Sequence, residues 1–402
     1  MTTHFSDIQP EAIREEAASY SLHDQSLAKS PWDPWRRFRA ASELLRSDQD
    51  GGFWILSRYS QIREAAGHEE TFCARHGRAL PPHPEGLLPS DADGAVHREY
   101  RRIINPWMTA SAMAYMEPEV TAFCAQRLDQ LVSRTEFDIA KDYVSPAIVM
   151  SGMKWLDWPV EEYEKFGDWA HAMLIPSHGT VEEKLRAWSE LSDWVAGDIE
   201  RRRAQPREGV INAVIDAEVE GRPITDKEIL QIVISLFLGA VETTGSTLNS
   251  AFHYLADHPE AREYLREDPE GRLPLAVEEF LRTAGSLAYT ARTVTEDTTL
   301  DGCPLKRGDK VALLMSSASR DADVFDNPDE VVLDRKPNRH FAFGAGPHKC
   351  AGATFARMML RIAIQEALAK LGDFRVADES AIGWEMAQVR VCTSMPIIHQ
   401  RG

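Results

Sequence analysis

Hydrophobic residues recur along much of the chain at the spacing of a buried helix face. Three stretches have apolar residues every three or four positions: Glu119 to Val132, Val181 to Arg202 and Ile229 to Leu255. This period is typical of amphipathic α-helices. Three short apolar runs beside glycine-containing turns are predicted strands: Phe53 to Leu56, Thr298 to Leu300 and Lys310 to Leu314. The pattern predicts a mainly α fold with small antiparallel β-sheets.

The last of these helices is the longest and the most apolar. A capping box, Thr225-x-x-Glu228, predicts its start, and Pro259 predicts its end. A helix of about 32 residues would be about 48 Å long and would cross a whole domain. It is apolar nearly all round from Ile229 to Val241, so we expect its middle to be buried.

The composition indicates one globular domain. The chain has 402 residues, of which 43% are hydrophobic, so it can bury a large core. Because no linker interrupts it, we expect a single domain over 1–402, with a loosely ordered N-terminal segment over 1–30. The richest Pro/Gly stretch, Arg78 to Gly94, is predicted to be a long loop of functional importance.

Charge and cysteine content narrow the class of protein. A net charge of −18 argues against nucleic acid as a partner. The five cysteines are odd in number, widely spaced and without a CxxC pair, which indicates neither a disulfide framework nor a zinc site. The N-terminus has no signal-like segment, and the longest apolar run, Ile232 to Val241, is too short to span a bilayer. We therefore expect a cytoplasmic protein that does not associate with membranes.

One segment carries the strongest chemical signal. The run from Phe343 to Gly352, FGAGPHKCAG, places Cys350 in a glycine-rich loop just before a predicted helix. Gly344 and Gly346 allow positive φ and a close backbone approach to a flat cofactor, and a helix N-terminus stabilises an anionic sulfur. A buried structural cysteine would need none of these features, so we interpret Cys350 as a thiolate metal ligand.

This loop resembles the cysteine-ligand loop of the cytochrome P450 superfamily, the haem-thiolate monooxygenases. The resemblance implies the cytochrome P450 fold, haem b as the cofactor with Cys350 on its iron, and O2 as co-substrate. It also implies that Phe343, Gly344 and Gly352 contact the haem. No bound flavin or NAD is expected, because the chain has no G-x-G-x-x-G after a strand.

The centre of the long helix resembles the family's oxygen-binding groove, where the helix widens locally. By this resemblance Gly239 and Ala240 would lie beside the haem, although the family usually has glycine where Ala240 stands. Thr243 would direct protons during O2 activation, and Glu242 would help to deliver them. From the residues alone, a surface-facing Glu-Thr pair is the alternative.

Two further sets of residues match the family's motifs. Glu279-x-x-Arg282 and Arg335 correspond to a structural charge network that supports the cysteine loop, where a surface salt bridge is the alternative. Four cations correspond to positions that contact the haem propionates: His97, Arg101, Arg292 and His348. Four apolar or small residues are expected in the substrate pocket: Leu238, Leu287, Ala288 and Thr290.

The resemblance implies a monooxygenase that uses O2 and two electrons from a separate ferredoxin or flavodoxin with its NAD(P)H reductase. It would hydroxylate or dealkylate a small hydrophobic substrate, and the run from Phe325 to His340 is most similar to members that oxidise terpenoids and small aromatics. Four basic residues would form the docking patch for the electron donor: Arg98, Arg101, Arg102 and Lys349. An H2O2-driven peroxygenase and a non-catalytic haem carrier or sensor remain as alternatives.

Overall fold

Helices make up most of the architecture. The structure, a computed structural model, describes residues 9–400. Within that range the α-helices are α1 Pro10–Ser19, α2 Trp32–Ala40, α3 Tyr59–Gly67, α4 Gly94–Ile104, α5 Ala110–Met113, α6 Glu117–Leu131, α7 Ser145–Trp155, α8 Tyr163–Leu174, α9 Val181–Ala204, α10 Val210–Ile215, α11 Asp226–Asp257, α12 Pro259–Glu267, α13 Pro269–Ala284, α14 Met315–Ala318 and α15 Ala353–Lys370. The mainly α prediction is confirmed.

The strands are short and form small sheets. They are β1 Leu45–Ser47, β2 Phe53–Leu56, β3 Phe72–Cys73, β4 Glu136–Asp138, β5 Glu218–Val219, β6 Arg222–Pro223, β7 Thr290–Val294, β8 Thr298–Leu300, β9 Cys303–Leu305, β10 Lys310–Leu313, β11 Asp373–Val376, β12 Gly383–Met386, β13 Arg390–Ser394 and β14 Pro396–Gln400. The largest sheet has the order β1-β2-β10-β7-β3, and the second has the order β11-β14-β4.

One strand pair differs from the antiparallel prediction. β10 runs parallel to β2, with Val311 opposite Trp54, whereas β10 and β7 are antiparallel. β2 and β10 are far apart in sequence, so no hairpin imposes an antiparallel arrangement on them. The local residue pattern identified these strands but not the direction of their pairing.

The long helix α11 begins and ends where its sequence signals predict. The Thr225 side chain accepts a hydrogen bond from the Glu228 amide, and Glu228 completes the capping box. By length and composition alone α11 is apolar enough to cross a bilayer. It packs instead against α7, α8, α9, α13 and α15, as the core helix of the fold.

The N-terminal part of the described chain is more ordered than predicted. The expectation of a loosely ordered segment over 1–30 is wrong for 9–30, because α1 buries Ile13 and Ala17 and packs against β1 and α2. Together with Trp35 these residues join an apolar cluster beneath the largest sheet. Residues 1–8 lie outside the described range.

Candidate active site

The loop before α15 is built around its glycines. Gly344 and Gly346 both have φ of +66°, a conformation that side chains rarely adopt. A Cβ on Gly346 would also lie 2.0 Å from the carbonyl oxygen of Ala66 in α3. The Cys350 amide donates a hydrogen bond of 2.8 Å to the Phe343 carbonyl, which closes the loop. The glycines therefore fix the backbone that presents Cys350.

The Cys350 side chain opens onto the main cavity of the protein, which Phe343, Gly344 and Gly352 also line. Withdrawal from bulk water raises the pKa of its thiol, whereas a hydrogen bond from Gly352 and the charge of Arg101 oppose that rise. A coordinated metal ion deprotonates a thiol outright. An iron bound here would therefore take the place of the thiol proton.

One face of α11 forms the opposite wall of this cavity. Its lining residues recur at helical spacing: Ser235, Leu236, Gly239, Ala240, Thr243, Thr244 and Thr247. The Thr243 hydroxyl donates a hydrogen bond of 3.0 Å to the Gly239 carbonyl oxygen. The expected local widening is absent from this structure, because the backbone stays α-helical throughout Asp226–Asp257.

Glu242 does not share the face of Thr243. It is buried and lines a second cavity, together with His171, His178 and Asn249. Successive residues on an α-helix point about 100° apart, so an acid next to an alcohol projects in a different direction. Only Thr243 of this pair therefore faces the main cavity, and the expected role of Glu242 in delivering protons stays a prediction.

The surroundings of Glu242 favour its protonated, uncharged form more than water would. Its Oε1 atom is buried without a hydrogen-bond partner and lies 3.4 Å from Nε2 of His171. Burial raises the pKa of Glu242 to about 7, and burial lowers the pKa of His171 to about 4. Near neutral pH the contact therefore joins an imidazole without charge to a carboxyl group that readily gains or loses its proton. The ring centre of His178 lies 6.1 Å from that of His171. His178 is exposed and also lines the second cavity.

Two of the four expected pocket residues do not line the main cavity. Leu287 and Thr290 do, whereas Leu238 and Ala288 are buried in apolar clusters. Leu238 lies one helical turn before Glu242, so the two share a face of α11. That face points away from the main cavity. Ala288 precedes β7 and donates its amide hydrogen to Gln388.

Several lining residues were missed by sequence reasoning. They include Arg78, Ser235, Leu236, Ser286 and Met315. The helical period starting from Thr243 would have found Ser235 and Leu236, which lie eight and seven residues before it. No local pattern indicates Arg78, which stands in an irregular loop.

The four residues expected at the haem propionates all line the main cavity: His97, Arg101, Arg292 and His348. The His97 and His348 rings stack with centres 4.2 Å apart, and His348 contacts Asp93 at 3.0 Å. The Nδ1 atom of His97 is buried without a partner, and burial lowers the pKa of Arg292 to about 10. Because buried cations and unpaired donors are costly, these residues suit a haem, whose two propionates would satisfy them.

The Glu279, Arg282 and Arg335 side chains meet in the interior. Arg282 donates two hydrogen bonds of 2.8 Å to the Glu279 carboxylate, and both side chains have no exposed surface. Arg335 approaches the same carboxylate at 3.1 Å. Asn338, which sequence reasoning missed, adds a bond of 3.0 Å. The alternative of a surface salt bridge is thus wrong.

Comparison with known proteins agrees with this geometry. The Cytochrome P450 family model matches residues 165–377. Steroid C26-monooxygenase of Mycobacterium tuberculosis (strain ATCC 25618 / H37Rv) is 29% identical over 387 residues, which cover 93% of this chain and 97% of that protein. Polyketide biosynthesis cytochrome P450 PksS of Bacillus subtilis (strain 168) is 31% identical over 381 residues, covering 90% and 93%. The crystal structure of cytochrome P450 CYP101C1 matches with a TM-score of 0.86 and 25% identity, covering 95% and 97%.

The chain therefore belongs to the cytochrome P450 family. It has the cytochrome P450 fold, as predicted, and it is a monooxygenase that binds haem b and uses O2.

Proposed function

We propose that this cytochrome P450 hydroxylates or dealkylates a small hydrophobic substrate, of the terpenoid or small aromatic kind, in the cytoplasm. One observation supports this above all: Cys350 and the Thr243 face of α11 line the same cavity from opposite sides. Apolar residues, among them Leu236 and Leu287, complete the wall where a substrate would lie. Relatives named for steroid and polyketide chemistry also support a hydrophobic substrate.

The residues of the cysteine loop and of the cavity wall would hold the cofactor. Cys350 would be the iron ligand, and Phe343, Gly344 and Gly352 of the same loop would contact the haem. Gly239 and Ala240 would contact it from α11. His97, Arg101, Arg292 and His348 would bind the propionates by hydrogen bonds. When bound, the haem supplies the iron centre at which O2 is reduced and one oxygen atom is inserted into the substrate.

Thr243 and Glu242 divide the handling of protons between two cavities. Thr243 holds its hydroxyl proton towards Gly239 and can turn it towards the main cavity. Glu242 carries an exchangeable proton at the boundary of the second cavity, beside His171. Rotation of the Glu242 side chain about its own bonds would carry that proton from the His171 side towards Thr243. The pKa of about 7 makes both protonation states accessible near neutral pH.

The network of Glu279, Arg282 and Arg335 has a structural role and takes no part in substrate chemistry. Their network fastens α13 to the segment before the cysteine loop, because Arg282 also donates to the carbonyl oxygens of Ser319 and Glu330. A buried charge network of this kind is strongly destabilised when one partner is lost.

A ferredoxin or flavodoxin, reduced by its NAD(P)H reductase, would deliver the electrons at the face that carries Lys349 and Arg102. Both side chains are exposed. Arg98 is exposed too, but it pairs with Glu69 at 3.0 Å, and Arg101 donates to the Lys349 carbonyl. On a chain of net charge −18 this basic face would attract an acidic protein.

Turnover under 18O2 tests the proposal. Purified haem-loaded enzyme, a ferredoxin, its reductase and NAD(P)H are supplied with a panel of terpenes and small aromatics. We expect one 18O atom per product molecule. Product formed with H2O2 alone and not with the reductase would instead establish a peroxygenase, and haem binding without either turnover would indicate a carrier or sensor.

A further inference from the structure

Arg78 occupies a fixed position in the loop between β3 and α4. Its carbonyl oxygen accepts hydrogen bonds from the Ala291 amide at 2.7 Å and from Nε2 of Gln388 at 2.9 Å. The preceding residue, Gly77, takes a φ of +96° and turns the chain at this point. Two separate segments thus hold the Arg78 backbone, so the fold sets the direction in which its side chain leaves the chain.

The Arg78 side chain lines the main cavity without a partner. Its Nε atom is buried, and within the described range no group accepts a hydrogen bond from its guanidinium group or forms an ion pair with it. Burial lowers the pKa of Arg78. The neighbouring Asp91 carboxylate raises it but forms no ion pair with Arg78. Oδ2 of Asp91 accepts a hydrogen bond from the Leu87 amide at 2.7 Å, and Oδ1 is buried without a hydrogen-bond partner.

The haem propionates do not need this cation. Two guanidinium groups, Arg101 and Arg292, and two imidazoles, those of His97 and His348, line the same cavity and would bind the two propionates. The acids nearest to them have their own partners: Glu69 pairs with Arg98 at 3.0 Å, and Asp93 contacts His348 at 3.0 Å. Arg78 remains as a half-buried positive charge with a buried, unpaired Nε, which an anion from outside the chain would satisfy, since an unpaired charge in such a site is costly.

We propose that Arg78 binds the carboxylate of the substrate, so that the enzyme acts on acids with an apolar body. The proposal rests on the haem-thiolate site of the proposed function and specifies its substrate class. A guanidinium group matches a carboxylate with two parallel hydrogen bonds. The apolar part of such an acid would lie along Leu236 and Leu287, which line the same cavity.

Imidazole-tagged acids test this without knowledge of the natural substrate. ω-(Imidazol-1-yl)alkanoic acids of graded chain length, and the corresponding primary amides, are titrated into haem-loaded enzyme at pH 7.5. The imidazole nitrogen ligates the haem iron and shifts the Soret band, while the other end probes Arg78. At the best chain length we expect the acid to bind about tenfold more tightly than the amide.

Arg78→Gln should abolish the preference for the acid and leave the affinity for the amide unchanged. Arg75→Gln, which removes an exposed arginine from the same loop, should keep the preference. Loss of the preference in Arg78→Gln alone would support the proposal. A wild-type enzyme that binds acids and amides equally at every chain length would overturn it.

Two further outcomes separate this proposal from others. Haem transfer to apomyoglobin is measured for the same variants. If Arg78→Gln releases haem faster yet keeps the acid preference, Arg78 binds a propionate and the proposal is wrong. If the wild-type enzyme shows no imidazole-induced Soret shift, the haem site of the proposed function fails, and the substrate proposal fails with it.

Discussion

Oε1 of Glu242 lies 3.4 Å from Nε2 of His171, on the side of α11 that faces away from Cys350. Thr243, the next residue, lines the cavity that Cys350 also lines. The wall between the two cavities is therefore one helix thick at this point, and the acid and the alcohol lie on its two sides. The proposed proton route would therefore have to pass from the second cavity around or through this helix to Thr243.

Removing the Thr243 hydroxyl should uncouple the reaction. In Thr243→Ala we expect NAD(P)H consumption to continue while product per NAD(P)H falls and H2O2 rises, because the hydroxyl that directs protons is lost. Thr243→Ser keeps a hydroxyl and should retain most of the coupling. Haem content and substrate affinity should barely change in either variant. If Thr243→Ala kept the wild-type ratio of product to NAD(P)H, Thr243 would not direct the protons, and Thr244 or water would have to do so.

Glu242 should make the stability of the enzyme depend on pH. Burial raises its pKa from 4.5 to about 7, so between these values the folded protein binds more protons than the unfolded chain. Stability therefore falls as pH rises through that window and stays lower above it, by about 3 kcal/mol.

Glu242→Gln should remove this loss of folding stability at high pH, because glutamine does not ionise. Denaturant unfolding at pH 8 should show the variant to be more stable than wild type, with little difference at pH 4.5. Glu200→Gln, which changes an exposed acid on α9, should behave as wild type at both values. An equal stability difference for Glu242→Gln at the two pH values would contradict the assignment.

Loss of Arg282 should prevent the accumulation of haem-loaded protein. Removing one partner of a buried charge pair costs about 3 to 5 kcal/mol, and the Glu279 carboxylate would be left without its two bonds of 2.8 Å. Arg14→Ala breaks an exposed pair with Glu43 and should leave haem content unchanged. The ratio of haem to protein after purification measures both. A fully loaded, normally active Arg282→Ala enzyme would refute the structural role.

Electron transfer should depend on the basic face. Reduction by an acidic ferredoxin should slow steeply with ionic strength and in Lys349→Glu and Arg102→Glu. Lys29→Glu, which reverses an exposed lysine before α2, serves as the charge-matched control. Arg98 is less suitable for this test, because its reversal would also repel Glu69. Stopped-flow reduction that is independent of salt and equal in all variants would count against docking at this face.

Short sequence motifs correctly predicted features that depend only on neighbouring residues, such as a helix start and a turn. The capping box at Thr225 and Glu228 set the start of α11, and the glycines at 344 and 346 have the positive φ expected of them. Matching to the family's motifs selected residues that the fold brings together over long distances in sequence, such as Glu279 and Arg335.

Features that depend on tertiary packing were predicted less well. The helices around α11 decide which of its faces lines the cavity, so Leu238 was assigned to the wrong side. The position of the Arg78 backbone is fixed by hydrogen bonds from Ala291 and Gln388, which are distant in sequence. Neither could be derived from residue spacing.

The ferrous-CO spectrum tests the central claim, that Cys350 ligates the haem iron as a thiolate, most directly. Fully haem-loaded wild-type protein, reduced and exposed to CO, should show the strongly red-shifted Soret band of thiolate ligation. Cys350→His should lose that band and show the one typical of histidine ligation. A wild-type spectrum of the histidine type would contradict the account.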